Sequence, residues 1–305
     1  MTTIRDGVDR RFVIVDVFSR KAFAGNPLAV IPDATGLSGA QMQHIAREFN
    51  FSESTFVLPA AAESDADFRL RIFTPTREVP FAGHPNIGTA FALAKAGQLG
   101  EFADSTHVVF DELAGKVPVR VERHHDDELW CELEAPEPLT VGQQLSVDEA
   151  AQALRLTSQD IDTRMHEPVE ASVGLRFMIV ALRSRDALSR AGGNVSVLEA
   201  MRSRGICDDI MCYYRDGEHI HARMFAPLDG VPEDPATGSA NAALFGLLTS
   251  LETQPSGVFS WQVTQGADMG RRSELSGRTK KIDGEVKGVW VGGYSVTVAT
   301  GSLLV

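Results

Sequence analysis

The sequence predicts an α+β protein of two similar domains. Each is a mixed β-sheet wrapped around a central buried helix, with the active site in the cleft between them. Three observations predict it. The first is an internal repeat: Arg71-Ile72-Phe73-Thr74-Pro75, Val79-Pro80 and Gly83 through Ala90 run into an apolar segment. Arg223-Met224-Phe225-Ala226-Pro227, Val231-Pro232 and Glu233 through Ala240 do the same in the second half. The offset is 152 residues for the arginines and 150 between Gly88 and Gly238, so one gap of two aligns the copies. The second is length, because 305 residues exceed most single cores and suit two domains of about 150. The third is the order of patterns: short strands deliver the chain to a Pro/Gly turn, and a small-residue helix apolar nearly all round follows each turn.

Taken in order, residues 11–18 read as a buried strand rich in β-branched and aromatic residues, and 28–31 as a second strand after the turn 24–27. Ser38 opens a helix and Gln41 completes a capping box. Met42, Ile45, Ala46 and Phe49 form its apolar stripe, and Asn50 suits a left-handed end. Residues 51–58 are a strand entered directly from that helix. Residues 67–74 alternate, with Phe68, Leu70 and Ile72 on one face, and lead into the first glycine turn. A helix follows Gly88, and strands follow near 106–110, 117–121 and 129–133.

Residues 134–138 read as a linker, dividing the chain into 1–134 and 135–294. In the second half, Ser146 with Glu149 and Ser196 with Glu199 read as capping boxes. Strands are expected at 175–182, 210–214 and 219–225, a helix after Gly238, and strands at 258–264, 286–291 and 295–299.

Composition excludes several classes. A hydrophobic content of 43% with mixed charge indicates a folded, soluble chain. Its net charge of −12 argues against nucleic acid as a partner, which requires clustered Lys and Arg. The apolar runs at 90–96 and 242–248 fall far short of the ~20 residues that span a bilayer. Residues 1–11 carry no secretory signal pattern, and Cys131, Cys207 and Cys212 make no disulfide framework, so a cytoplasmic location is expected. No Gly-x-Gly-x-x-Gly or Walker sequence follows a strand, which disfavours nucleotides.

The chemistry concentrates at the repeated turns. A helix start carries unpaired N–H groups and partial positive charge, so it holds anions, and glycine lets the backbone approach them. One such turn would be an ordinary strand-to-helix corner. Two, each with polar groups inside, suit a small carboxylate-bearing substrate. Glu53 is the one charge on an otherwise apolar strand. It is either a surface residue at the strand entrance or an acid/base whose pKa burial raises toward ~6–7. His84 could donate to a carbonyl or carboxylate, and Asp234 could orient it or act as a second acid/base. Gly83, Gly238 and Ser239 could supply donors to an enolate-like intermediate.

Elsewhere His219-Ile220-His221 could point two rings one way, but nothing in the sequence completes a metal set, so no metal is expected. His124-His125-Asp126-Asp127-Glu128 is a solvated hairpin tip. Cys207 and Cys212 lack redox or zinc spacing. Ser239 lies outside a G-x-S-x-G elbow, which argues against a serine hydrolase.

Several stretches together resemble one family. They are Ala24 through Val30, Asn50-Phe51-Ser52-Glu53-Ser54-Thr55-Phe56, Phe81-Ala82-Gly83-His84-Pro85, Glu233 through Ala240, Gln265 through Arg271 and Val291 through Val296. In this order they are similar to the phenazine-biosynthesis PhzF-like family and cover almost the whole chain. The resemblance implies the diaminopimelate-epimerase-like fold, with the last strand, 295–305, returning to the first domain. It implies a homodimeric isomerase that needs no cofactor. By position, Glu53 matches the proton-transferring glutamate, and His84 and Asp234 match its supporting polar groups. Gly83, Gly238, Ser239 and also Ser52 match substrate-holding positions.

Related racemases of the fold place a cysteine in each turn, and this chain has none there. Asn86-Ile87 and Arg272 depart from the family pattern and bear on substrate identity. Two alternatives stay open: an epimerase using Glu53 and Asp234 from opposite faces, and a ligand-binding relative without chemistry.

Overall fold

The β-branched run near the N-terminus folds as β1 (Asp9–Val17), and the turn after it delivers β2 (Asn26–Ile31) antiparallel to it. The computed structural model describes residues 9–125 and 128–305; residues 1–8 and Asp126-Asp127 of the expected hairpin tip lie outside the described residues. Contacts divide the chain into two units, Met1–Leu133 with Gly293–Val305, and Glu134–Gly292.

In the first unit, α1 (Gly39–Phe49) carries the chain from β2 to β3 (Glu53–Pro59), which is parallel to β2. Ser38 and Gln41 form the reciprocal capping box, and Asn50 ends the helix at φ 54°. Such a cap contributes about 1 kcal/mol. β3 pairs antiparallel with β4 (Phe68–Phe73), and β4 pairs with the two-residue β5 (Glu78–Val79). α2 (Gly83–Lys95) then crosses to β6 (Ser105–Glu112), parallel to β4. β7 (Gly115–Arg123) and β8 (Leu129–Glu134) extend the sheet antiparallel.

α2 starts at Gly83, six residues before Thr89, where the sequence places it. Gly83-His84-Pro85-Asn86 is therefore the first helical turn itself, not an approach to it. Pro85 is compatible because an N–H in the first turn has no intrahelical acceptor. Every residue from Gly83 to Leu93 is buried.

The second unit opens with β9 (Thr140–Gln144), α3 (Val147–Ala153), β10 (Val169–Ser172) and β11 (Arg176–Ala181). The two short helices α4 (Arg185–Arg190) and α5 (Val195–Ser203) lead to β12 (Ile210–Asp216), parallel to β11. β13 (His219–Ala226), β14 (Val231–Asp234), α6 (Gly238–Leu251) and β15 (Gly257–Gln265) follow, with β15 parallel to β13. β16 (Ser273–Ile282) and the first part of β17 (Glu285–Leu304) close it antiparallel.

Ser196 is not a cap: α5 begins two residues earlier than such a cap would set it, after Asn194, whose N–H and side-chain amide bond to the carbonyls of Ala153 and Gln152. The strands expected at 286–291 and 295–299 are one strand, because Gly292 and Gly293 continue the extended backbone. Its end, Ser295–Leu304, pairs with β1 in the first unit. α6 is buried along most of its length, and the Lys281 ammonium caps its C-terminus by donating to Ser250 O and Glu252 O (3.1 and 2.7 Å). Among the described residues no helix is long and apolar enough to cross a membrane.

The duplication is visible side chain by side chain. Arg71 and Glu78 form a two-point pair with both contacts at 2.7 Å, and Arg223 and Glu233 form the same pair at 2.7 Å. Each guanidinium also lies 5.0 Å from the ring of the phenylalanine two residues on, Phe73 or Phe225. The register agrees, since Ile72 pairs with Val79 as Met224 pairs with Asp234. The offset is therefore 152 at the arginines but 155 at the glutamates and helix starts. The gap between copies is three residues rather than two, and Gly83, not Gly88, corresponds to Gly238.

Gly88 has a separate duty. A Cβ there would stand 2.6 Å from both Leu28 Cδ2 and Val17 Cγ2, in side chains with no exposure. Alanine is a better helix former by ~1 kcal/mol, but overpacking a tight core costs ~1–3 kcal/mol. Gly88→Ala should therefore lower stability to urea; an unchanged or raised midpoint would mean that β1 and β2 yield at that contact.

Candidate active site

Glu53 begins β3 because Asn50 turns the chain out of α1 into an extended run of Ser, Thr and Phe. Thr89 Oγ1 donates to Thr55 Oγ1 at 2.9 Å, both fully buried, which ties β3 to α2 beside this end of the strand. His84 occupies the first turn of α2 and is 4% exposed. Its Nδ1 lies 3.6 Å from Glu53 Oε2 and 3.4 Å from Asn26 Nδ2. The Glu53 side chain keeps 19% exposure, so it is sheltered yet open to an incoming molecule.

Burial pushes the His84 imidazole down to about 3, so it is neutral at physiological pH. Its contact with Glu53, although within ion-pair distance, is therefore one between a carboxyl and a neutral ring. With Asn26 Nδ2 donating to Nδ1, the ring proton is assigned to Nε2. Nε2 is buried and has no hydrogen-bond partner among the described residues.

Asn26, fully buried, is held in place by Gly25 at φ 70°. A Cβ on Gly25 would meet the Val17 carbonyl oxygen at 2.4 Å, so only glycine fits. Ser52 is half-buried just before Glu53, and Gly83 is buried just before His84.

The second unit gathers a different set. Asp234 ends β14, is 7% exposed, and its Oδ2 accepts from Thr237 Oγ1 at 2.6 Å. Gly238 is buried at the start of α6, and Ser239, the counterpart of His84, is half-buried. Gln265, fully buried at the end of β15, organises the turn. Its Oε1 accepts from Asn241 Nδ2 (2.7 Å) and Thr237 N (3.2 Å), while its Nε2 donates to Asp234 O (2.8 Å).

Of the sequence-selected residues, Glu53, His84, Gly83 and Ser52 thus lie in the first unit, and Asp234, Gly238 and Ser239 in the second. Asn26 and Gln265 were not selected as site residues, nor was the asparagine that both helices carry in their first turns. Asn86 Nδ2 donates to Ala82 O and Asn241 Nδ2 to Thr237 O, both at 2.9 Å. The signal for the last was available: in each copy an asparagine stands three residues after the first helical glycine.

His219 and His221 lie 4.9 Å apart between ring centroids, with His219 Nε2 on Thr264 Oγ1 at 2.9 Å. Among the described residues no group of three or more His, Cys, Asp or Glu could hold a metal ion.

The first unit thus sets a carboxyl beside a neutral histidine at a helix start, on a mixed sheet with helices. Comparison with known proteins supplies the class. The model of the family described as phenazine biosynthesis-like protein (PhzC-PhzF) matches residues 15–301, and the chain belongs to this family. An uncharacterized isomerase of Mesorhizobium japonicum is 36% identical over 97% of this chain and 99% of its own. The trans-2,3-dihydro-3-hydroxyanthranilate isomerase of Pseudomonas aeruginosa is 35% identical over 95% of this chain and 98% of its own. Among solved structures, a Bacillus anthracis phenazine biosynthesis protein of the PhzF family superposes with a TM-score of 0.87 at 25% identity, covering 97% of this chain and 99% of its own. The chain is an enzyme, an isomerase of this family.

The neutral imidazole has a measurable consequence. A buried histidine whose folded value lies near 3 binds its proton later than in the unfolded chain, where the ordinary value is 6.5. Stability is therefore lost as pH falls from about 6.5 toward 3. The His84 ring 15N signals should not titrate between pH 5 and 7, and His84→Asn should lose less stability than the parent on acidification. A His84 titration near 6.5 would contradict this environment.

Proposed function

We propose that the protein is a cofactor-independent isomerase that moves a proton within a small carboxylate-bearing substrate, with Glu53 as the group that takes and returns it. The observation that carries this reading is the 3.6 Å contact between Glu53 and the buried, neutral His84. A carboxyl can shuttle a proton between two carbons, and a neutral imidazole beside it at this depth does not take that proton for itself. In this reading each unit is a sheet wrapped around its buried helix, and both helix starts serve one substrate. Gly83 and Ser52 supply donors from the first unit, and Gly238 and Ser239 from the second, on a turn that Asp234 keeps rigid.

The 35% identity to an enzyme named for trans-2,3-dihydro-3-hydroxyanthranilate makes that compound, or another cyclic unsaturated acid, the first substrate to test. A proton carried by one residue between two carbons predicts a 1,3-shift on one face of the ring. The two-base epimerase, with Asp234 as partner base, ranks second. The Asp234 carboxyl is bonded to Thr237 Oγ1 at 2.6 Å, which suits a fixed support better than a shuttle.

Turnover in deuterium oxide, followed by NMR, separates the readings: a 1,3-shift labels a second carbon, whereas epimerisation inverts one. Glu53→Gln should lower kcat by ~10²–10⁴-fold with the fold intact, the usual share of a general acid/base. Near-normal turnover by that variant would remove Glu53 from the reaction.

A further inference from the structure

Glu112 ends β6, is 9% exposed, and neither carboxyl oxygen has a hydrogen-bond partner among the described residues. Its role is legible from the duplication. β4 and β6 pair in parallel with Phe68 beside Phe110 and Arg69 beside Asp111. β13 and β15 pair in parallel with Ile220 beside Val263 and His221 beside Thr264. With Arg71 matched to Arg223, the next residue along places Glu112 where the second unit has Gln265. The companions match as well: Asn86 answers Asn241, Ala82 answers Thr237, and Val79 answers Asp234.

Gln265 uses both ends of its amide. Its oxygen accepts from Asn241 Nδ2 and Thr237 N, and its nitrogen donates to the Asp234 carbonyl. A carboxylate can only accept, so it could not reproduce the second half of this pattern. A carboxylic acid has a carbonyl oxygen and an O–H, and it can.

We infer that Glu112 is a positioning residue that works as a neutral carboxylic acid. As the counterpart of Gln265 it engages Asn86 from the end of β6, and so fixes the turn that carries His84.

The surroundings favour the neutral form. Burial pushes the Glu112 carboxyl up to about 8, opposed only by the polar contact with Asn86. Gly115 faces it on β7, Leu70 occupies the matching place on β4, and the one titratable group in the first turn of α2 is His84, itself uncharged. The fixing of the turn does not rest on the functional reading of His84 above.

The test needs no substrate, so its failure is distinct from a failure of the Glu53 prediction. An acid held up to about 8 in the fold keeps a proton that the unfolded chain loses near 4.5, so stability falls between those values and levels off above. In thermal melts from pH 5 to 9, Glu112→Gln should match the parent at pH 5 and exceed it by several degrees at pH 8. With 13C-labelled glutamate, one carboxyl resonance should titrate near pH 8 and be missing from Glu112→Gln. The His84 ring 15N signals should shift in the parent above pH 8, stay fixed in Glu112→Gln, and be displaced at pH 7 in Glu112→Leu.

Gln265→Glu, which places the same acid in the second unit, should add a second carboxyl resonance titrating above pH 7. The inference is overturned if no glutamate carboxyl titrates above pH 7 in the parent. It is equally overturned if Gln265→Glu titrates as an ordinary surface acid, or if a folded Glu112→Leu leaves the His84 signals in place.

Discussion

Each unit buries the first turn of a helix, and a helix start carries N–H groups that its own backbone cannot satisfy. At the surface water would take them. Under a sheet they must be bonded by the chain or left for a ligand, because an unmet buried donor costs ~1–3 kcal/mol. The second unit meets part of this demand with Gln265, which accepts from Thr237 N and Asn241 while it holds the Asp234 carbonyl. Under the proposed function, Gly238 and Ser239 are the donors that this turn would offer to an acid.

The first unit places a different group on the same scaffold. His84 sits where the second unit has Ser239, and burial keeps its ring neutral. Desolvation sets that state: a charged imidazole would lose hydration and gain from its neighbours only the contact with Glu53. Under the proposed function, a ring that stays neutral does not compete with Glu53 for the proton being moved.

The two copies have kept their framework and diverged at the tips. The Arg–Glu pair, the phenylalanine under the guanidinium and the asparagine in the first turn are common to both. The side chains that differ are His84 against Ser239, Val79 against Asp234, and Glu112 against Gln265. The first group holds the turn to the sheet, and removing one partner of the more buried Arg223–Glu233 pair would leave a charge largely cut off from water. The second group lies at the turns, where a side chain can change its chemistry without disturbing the sheet.

Much of this was local and therefore legible from the sequence. The Ser38–Gln41 capping box, the left-handed Asn50, the alternation of residues 68–73 and the apolar character of both buried helices follow from neighbours a few residues apart. So did the repeat and the family motifs that singled out Glu53 and His84. What the sequence could not carry was register between distant segments. The start of α2 moved from Thr89 to Gly83 because Ala82 is extended and Pro85 fits a first helical turn, and the gap between the copies became three residues once strand pairing matched Val79 with Asp234.

Asn26 gained its place only when Gly25 brought it to the ring of His84, 58 residues away. Glu112 drew no notice in the sequence, and only the sheet sets it beside Asn86. Residue identities and short-range spacing determined which groups exist and which helices and strands they ride on. Tertiary structure alone decided which are desolvated together, because burial depends on atoms brought from far along the chain.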